Sequence, residues 1–232
     1  FISFISMSST IGIALGCFVL IVLLSVMNGF EKELTSRILS VVPHGELYSK
    51  SESGIENLDA QLCRLSQDSR IASVTPYTGI TGMLQSKGEL KAISVTGIPV
   101  NSVSDKYAER VTSEDWQRFS TQKNGLIVGK GIFASMDLNI GDIVQILIPQ
   151  TTQDLTFKAP RSITLSISGV LSVGGELDNQ LGLMHLETAS EAIGISSKSQ
   201  GIQFTLNDPF SSYDTMRDIG YSYPQGVYMS DW

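Results

Sequence analysis

The sequence predicts an α+β protein. A membrane-spanning helix prolonged as a stalk is followed by a domain in which a split β-α-β unit is interrupted by a strand-rich insertion. Three observations predict this. One is the uncharged apolar run STIGIALGCFVLIVLLSVMNGF, which precedes the first charged residue, Glu31. Another is a β-α-β pattern that occurs just after the helix and again at the end. The last is the apolar–polar alternation that fills most of the segment between.

The apolar run comes first. From Ile11 to Met27 every residue is apolar or small, with Ser25 as the polar exception. That makes about 25 Å of helix. The uncharged FISFISMSST ahead of it carries the run past the ~20 residues that span a bilayer. A signal peptide would show a charged start, a shorter apolar core and a small-x-small cleavage site; this run leads straight into NGFEKEL. A buried helix of a soluble protein is the other alternative, and an uncharged stretch from Phe1 to Phe30 is long for that. Gly12 and Gly16 form a GxxxG spacing and are helix-packing candidates. Past the span, Met27, Phe30, Leu34, Ile38 and Val41 recur every three or four residues, while Glu31, Lys32, Glu33 and Arg37 fall elsewhere on the wheel. Pro43 ends the stalk. The stripe either packs on a neighbouring stalk helix or lines a cavity for an acyl chain or other hydrophobic cargo. A first residue that is Phe, with no Lys or Arg ahead of the span, predicts a fragment of a longer protein.

The remaining elements follow in order. Gly45 to Tyr48 reads as a strand, Ile55 to Leu65 as a helix with Ile55, Leu58, Leu62 and Leu65 on one face, and Ile71 to Pro76 as a strand. TGMLQSKGELKAISVTGI reads as a hairpin turning at Lys87-Gly88. NGLIVGKGIFASMDLNIGDIVQILIPQ gives a strand, a short helix, a turn at Ile140-Gly141-Asp142 and a strand. QTTQDLTFKAP, Gln150 to Pro160, reads as a loop with Leu155 and Phe157 as apolar points. RSITLSISGVLSV alternates as a long strand, and LGLMHLETASEAIGI adds a strand and a helix. GIQFTLND is a strand. DPFSSYDTMRDIG is a helix with Asp208 as N-cap and Pro209 in its first turn. QGVYMSDW closes the sheet. The predicted units are 1–43 for span and stalk, 44–80 plus 200–232 for the split sheet, and 81–199 for the insertion.

Composition excludes several functions. The 232 residues carry a net charge of −7, and no basic stripe exists to displace counterions, so nucleic acid is not a partner. Cys17 and Cys63 lie too far apart in character to be bridged. No GxxxxGK[ST], HExxH or CxxC motif occurs, and no metal or cofactor is expected. His44, after Pro43, reads as a solvent-facing loop histidine; His185, within a strand, reads as structural. Gly129-Lys130-Gly131-Ile132-Phe133-Ala134 matches GxGxxA after a strand, but the helix that follows is too short for a dinucleotide site, and a tight strand-to-helix turn explains it. Glu176, Asp178, Asp137 and Asp142 read as turn and surface acids. Enzyme chemistry is not expected.

The stretch FISFISMSSTIGIALGCFVLIVLLSVMNGFEKELTSRILSVVPHGEL resembles the first membrane helix and stalk of the LolC/LolE permeases, of the MacB/FtsX class of ABC transporters. IVGKGIFASMDLNIGDIVQILIP resembles the class-wide segment of the periplasmic domain. SGVLSVGGELDNQLGLMHLETA, PHGEL and VYMSDW resemble the LolE branch. The resemblance covers essentially the whole sequence.

It implies a subunit with four membrane helices and a large periplasmic domain between the first two. The split sheet would be the family's Porter-like subdomain and the insertion its Sabre-like one. The complex would sit in the inner (cytoplasmic) membrane of a Gram-negative bacterium. It would pair a LolC-type permease subunit with this one and a LolD-type ATPase dimer, which holds the P-loop that this chain lacks. It would extract lipoproteins from membrane lipid and release them to the chaperone LolA. Met27, Phe30, Leu34 and Ile38 would then wall the acyl-chain cavity. Leu155, Phe157 and Lys158, in the loop equivalent to the family's hook, would contact a partner, with the main LolA contact on the other permease. The alternatives are a MacB-type exporter or FtsX-type regulator, or a single-span anchored binding or sensor domain.

Overall fold

The computed structural model describes residues 2–39, 43–49, 51, 53–100, 107, 110–151, 157–208, 211–221, 223 and 227–231. The chain divides into two units, Phe1–Val42 and Pro43–Trp232.

The first unit is one unbroken helix, α1 (Ile2–Leu39, 38 residues). Leu and Ile are its commonest apolar residues, and Thr10 Oγ1 donates to Ser6 O at 2.9 Å, the back-bond by which a helix absorbs a threonine. Side chains from Ser3 to Phe30 are exposed, and that stretch is long and apolar enough to cross a membrane. The predicted stalk continues as helix to Leu39; Val41 lies outside the described residues.

The second unit opens with β1 (Gly45–Ser49), α2 (Leu58–Ser66), β2 (Ile71–Ser86) and β3 (Glu89–Ile98). Then come α3 (Ser113–Thr121), β4 (Gly125–Gly129), α4 (Lys130–Ser135), β5 (Ile143–Thr151) and β6 (Phe157–Leu171). A 3-10 turn (Gly175–Asn179), β7 (Leu181–His185), α5 (Leu186–Ile193), β8 (Gly201–Leu206), α6 (Ser212–Gly220) and β9 (Val227–Asp231) complete it.

The strands form two sets that share β2. The start of β2, β8, β1 and β9 lie side by side in that order, each antiparallel to its neighbour. The crossover helices α2, from β1 to β2, and α6, from β8 to β9, interleave the two β-α-β units, a split β-α-β arrangement. Leu47, Ile202, Phe204 and Leu206 on one face of this sheet are buried with Leu65 of α2 and with Met216 and Ile219 of α6, so both helices cover the same face.

From Thr78 onward β2 leaves that sheet. It forms a hairpin with β3, and the ladder continues through β7, β4, β6 and β5 back to β2, closing a ring of strands. A closed sheet has no free edge, and its inward residues make a second core that includes Ile80, Leu84, Val95, Leu126, Ile146 and Leu165. The hairpin turns on Lys87 (φ 51°) and Gly88 (φ 87°), two left-handed residues of the kind that two-residue turns require.

β2 is longer than the sequence predicts, because Pro76 does not end it. Pro76 pairs with Ile202 of β8. In this first half, β2 has no strand on its other side among the described residues, so the missing N–H costs no ladder bond. The entry and exit of the barrel segment face each other, with Tyr77 opposite Gly201. Hydroxyls fix this crossing point. Thr78 and Ser190 share a hydrogen bond of 2.8 Å, Gln200 N donates to Thr78 Oγ1 at 3.2 Å, and Ser199 Oγ donates to Tyr77 O at 2.8 Å.

Four further sequence expectations need correction. His44 is not in solvent; it is 4% exposed, and its Nδ1 accepts from Leu206 N at 3.0 Å. That partner is distant in sequence and close only once β8 lies beside β1. The second helix begins at Leu58, because Asn57 is left-handed (φ 52°) and breaks it from Ile55. α6 begins at Ser212 with Ser211 at the cap position. The Asp208 carbonyl accepts from Ser211 Oγ at 2.8 Å, a turn ahead of the helix; Pro209 lies outside the described residues. Finally, strand pairing runs into Gln150 to Pro160 from both sides, with Gln150 opposite Lys158 and Thr151 opposite Phe157; residues 152–156 lie outside the described residues.

Candidate functional site

The apolar surface of α1 is the first candidate. Met27 is 70% exposed and Phe30 64% exposed. Leu34 and Ile38 continue the same spacing along the helical backbone, so the four positions share one side of it; the side chains of Leu34 and Ile38 lie outside the described residues. A Cβ built on Gly12 or Gly16 would meet nothing within 4 Å. Both glycines therefore lie open on the surface of α1, where a second helix can approach the backbone closely.

The β5–β6 hairpin is the second candidate. Strand pairing carries it to Thr151 and Phe157. Leu155 falls outside the described residues, as do the side chains of Phe157 and Lys158. At the other end of β5, Asp142 accepts from Asn139 N at 2.9 Å and lies 3.6 Å from the Lys87 ammonium. The Asn139 amide, then Lys87, holds its carboxyl below the usual range.

The glycine motif after β4 is structural. Gly129 is the cap residue of α4, which spans only Lys130–Ser135. A Cβ on Gly129 would collide with Asp178 O, and one on Gly131 with the Asn179 side chain. The 3-10 turn thus packs directly against both glycines. Asp178 Oδ1 accepts from Val173 N at 2.8 Å and Gly174 N at 3.1 Å, closing that turn. His185 Nε2 donates to Phe119 O at 2.6 Å, a structural role. No three of His, Cys, Asp and Glu converge among the described residues.

Sequence reading missed a polar cluster on the face of the sheet opposite α2 and α6. Glu46 of β1 accepts from the Tyr77 hydroxyl and from Gln203 Nε2, each at 2.8 Å. Burial, then the Glu46 charge, raises the Tyr77 phenol far above its ordinary value. Tyr107 is pushed up to about 12 by burial and by the same carboxylate. Period-2 alternation places Glu46 and Gln203 on the non-core face of their strands, but the pairing of β1 with β8 is what brings them together.

A family model for the MacB-like periplasmic core domain matches residues 6–220. The chain belongs to the MacB-like periplasmic core domain family. Within this MacB-like family, the lipoprotein-releasing system transmembrane protein LolE of Haemophilus influenzae is 34% identical over 100% of this chain and 57% of its own length. The LolC protein of the same system from Neisseria meningitidis is 28% identical, again over 100% of this chain and 57% of its own length. The chain thus spans a little over half of these relatives. Among solved structures, the periplasmic region of MacB from Actinobacillus actinomycetemcomitans aligns with a TM-score of 0.48 and 13% identity, over 84% of this chain and 91% of that one.

Proposed function

We propose that this MacB-like chain is the first membrane span and periplasmic domain of a LolE-type permease subunit. The whole subunit would act in an ABC transporter of a Gram-negative inner membrane, with its large domain in the periplasm. It would extract lipoproteins and release them to the chaperone LolA, with ATP hydrolysed by a LolD-type dimer and a LolC-type permease as partner. The observation that carries this reading is the relation, along the full chain, to a lipoprotein-releasing transmembrane protein. On this reading the four-stranded sheet with α2 and α6 is the Porter-like subdomain, 44–80 plus 200–232, and the closed barrel is the Sabre-like insertion, 81–199.

The mechanism is mechanical. ATP binding in the partner subunit draws the membrane helices together, and α1, unbroken from span to stalk, conveys the movement outward. Pulling an acyl chain from the bilayer costs about 0.8 kcal/mol per CH₂, so the chain needs an apolar path as well as ATP. Met27, Phe30, Leu34 and Ile38 are the proposed wall of that path. Gly12 and Gly16 are the proposed contact with a neighbouring span, and the hairpin bearing Leu155, Phe157 and Lys158 the proposed partner contact.

Phe30→Asp in the assembled complex tests the wall. It should abolish photo-crosslinking of lipoprotein from position 27 while leaving co-purification with the partner permease intact. Loss of co-purification instead would assign the stripe to helix packing. The second reading, a MacB-type exporter or FtsX-type regulator, is favoured by the family match itself; it predicts no lipoprotein crosslink from position 27. Three further apolar spans after Trp232 would set both readings apart from a single-span sensor.

A further inference from the structure

The ring of strands closes on β2 over a short span. Among the described residues, β5 pairs with β2 only at Met83, Leu84 and Gln85, opposite Leu147, Ile146 and Gln145. Between there and Tyr77, where the pairing with β8 ends, the rim of the ring leaves one edge of β2 open. Backbone alternation shows which groups face that edge. Lys87 and Gly88 form a two-residue turn, so the flanking Ser86 and Glu89 exchange hydrogen bonds. Every second residue of β2 from there, Leu84, Gly82 and Ile80, then bonds to β3. Gly79, Thr81 and Met83 point their N–H and C=O groups the other way, toward the side that β5 occupies. Gly79 N donates on that side to Gln200 Oε1, at 3.0 Å.

The register of β5 on β2, carried onward, sets Thr81 opposite Pro149 and then Gly79 opposite Thr151. Neither rung forms. Proline has no N–H, so Pro149 cannot donate to the Thr81 carbonyl. The Gly79 N–H is already taken by the Gln200 side chain. A third feature acts at the same point. Between the pairs Ile148–Arg161 and Gln150–Lys158, β6 holds one residue more than β5, and such a bulge bends its strand and sharpens the twist. From Ile148 and Arg161 outward, β5 and β6 pair only with each other among the described residues. Arg161 Nη1 donates to Ala192 O of α5 at 3.1 Å, which ties down the base of the hairpin. An open strand edge beside another strand otherwise invites pairing.

We propose that Pro149 and Gln200 form a stop that keeps the β5–β6 hairpin from pairing along β2, so that its outer end is held away from the barrel. The stop rests on pairing geometry; only the use of that end as a partner contact rests on the transport reading. The test is amide hydrogen exchange of the whole chain in detergent micelles. Pro149→Val supplies the missing N–H and should slow exchange at Thr81 about fivefold, the effect of one hydrogen bond. Adding Gln200→Ala should slow it further, with Met83 as the reference amide; if Met83 also loses protection, Pro149→Val alone decides. Pro160→Val, on the other strand of the hairpin base, should leave Thr81 unchanged. Spin labels at Ala92→Cys and Lys158→Cys, with the exposed Cys17 and Cys63 replaced by serine, should lie closer together once Pro149 is replaced. Unchanged exchange at Thr81, equal slowing by Pro160→Val, or an unchanged label distance would each overturn the proposal. Failure of the lipoprotein crosslink from position 27 would leave these results as they are and bears on the transport reading alone.

Discussion

His44 holds the place where the chain enters the sheet. Its Nδ1 accepts from Leu206 N at 3.0 Å in a buried setting. His44→Ala would leave that N–H unpaired, at about 1–3 kcal/mol, and a chemical-denaturation midpoint should fall accordingly. Gly129 is sensitive for a different reason. A methyl group there meets the Asp178 backbone, and Gly129→Ala should destabilise by about 1–3 kcal/mol through overpacking, read by the same measurement. Tyr77 gives a pH dependence. Burial and then Glu46 raise its phenol in the folded chain, whereas an unfolded tyrosine titrates near 10. The folded state therefore keeps its proton longer. This contribution is fully present below about pH 10 and is lost as pH rises through the folded value. Melting temperatures between pH 8 and 11 should fall less steeply above about pH 10 for Tyr77→Phe than for the natural chain.

Among the elements, those with local signals were legible in the sequence and those set by distant neighbours were not. Lys87-Gly88 announced its turn, and the alternation of β6 announced its strand, because backbone conformation and period are written in adjacent residues. Pro76 misled for the opposite reason. Whether a proline can stay in a strand depends on what lies on its far side, and here that side carries no partner strand among the described residues. Glu46, Tyr77 and Gln203 were likewise illegible as a group, since their meeting needs β8 between β1 and β2. The candidate wall on α1 was legible as a spacing, while the open edge of β2 beside Pro149 arises from segments far apart in sequence. The hydroxyl contacts at Thr78 belong to this scale too. Thr78→Val removes the acceptor for Gln200 N and should cost about 1–3 kcal/mol. In hydrogen exchange, the loss of protection should centre on the junction of β2 with β8.

For the folded domain as a whole, the two cores are built from different segments of the chain. The barrel segment leaves β2 after Tyr77 and returns at Gly201, residues that already face each other. Replacing residues 78–200 with an Asn-Gly turn should therefore leave a β-hairpin in their place and a small sheet with α2 and α6 still covering one face. Circular dichroism should show helix and strand with a cooperative melt at reduced temperature, since a small domain buries a smaller fraction of its surface. A non-cooperative melt would mean that the sheet depends on the barrel for its order.

The length of α1 has a geometric consequence. Its 38 residues make a rod of about 57 Å, roughly twice the thickness of a hydrocarbon core. No bilayer encloses it end to end. When such a rod leans by about 10°, its far end sweeps sideways by about 10 Å, while its hydrogen bonds stay intact. Small angles at one end become large displacements at the other.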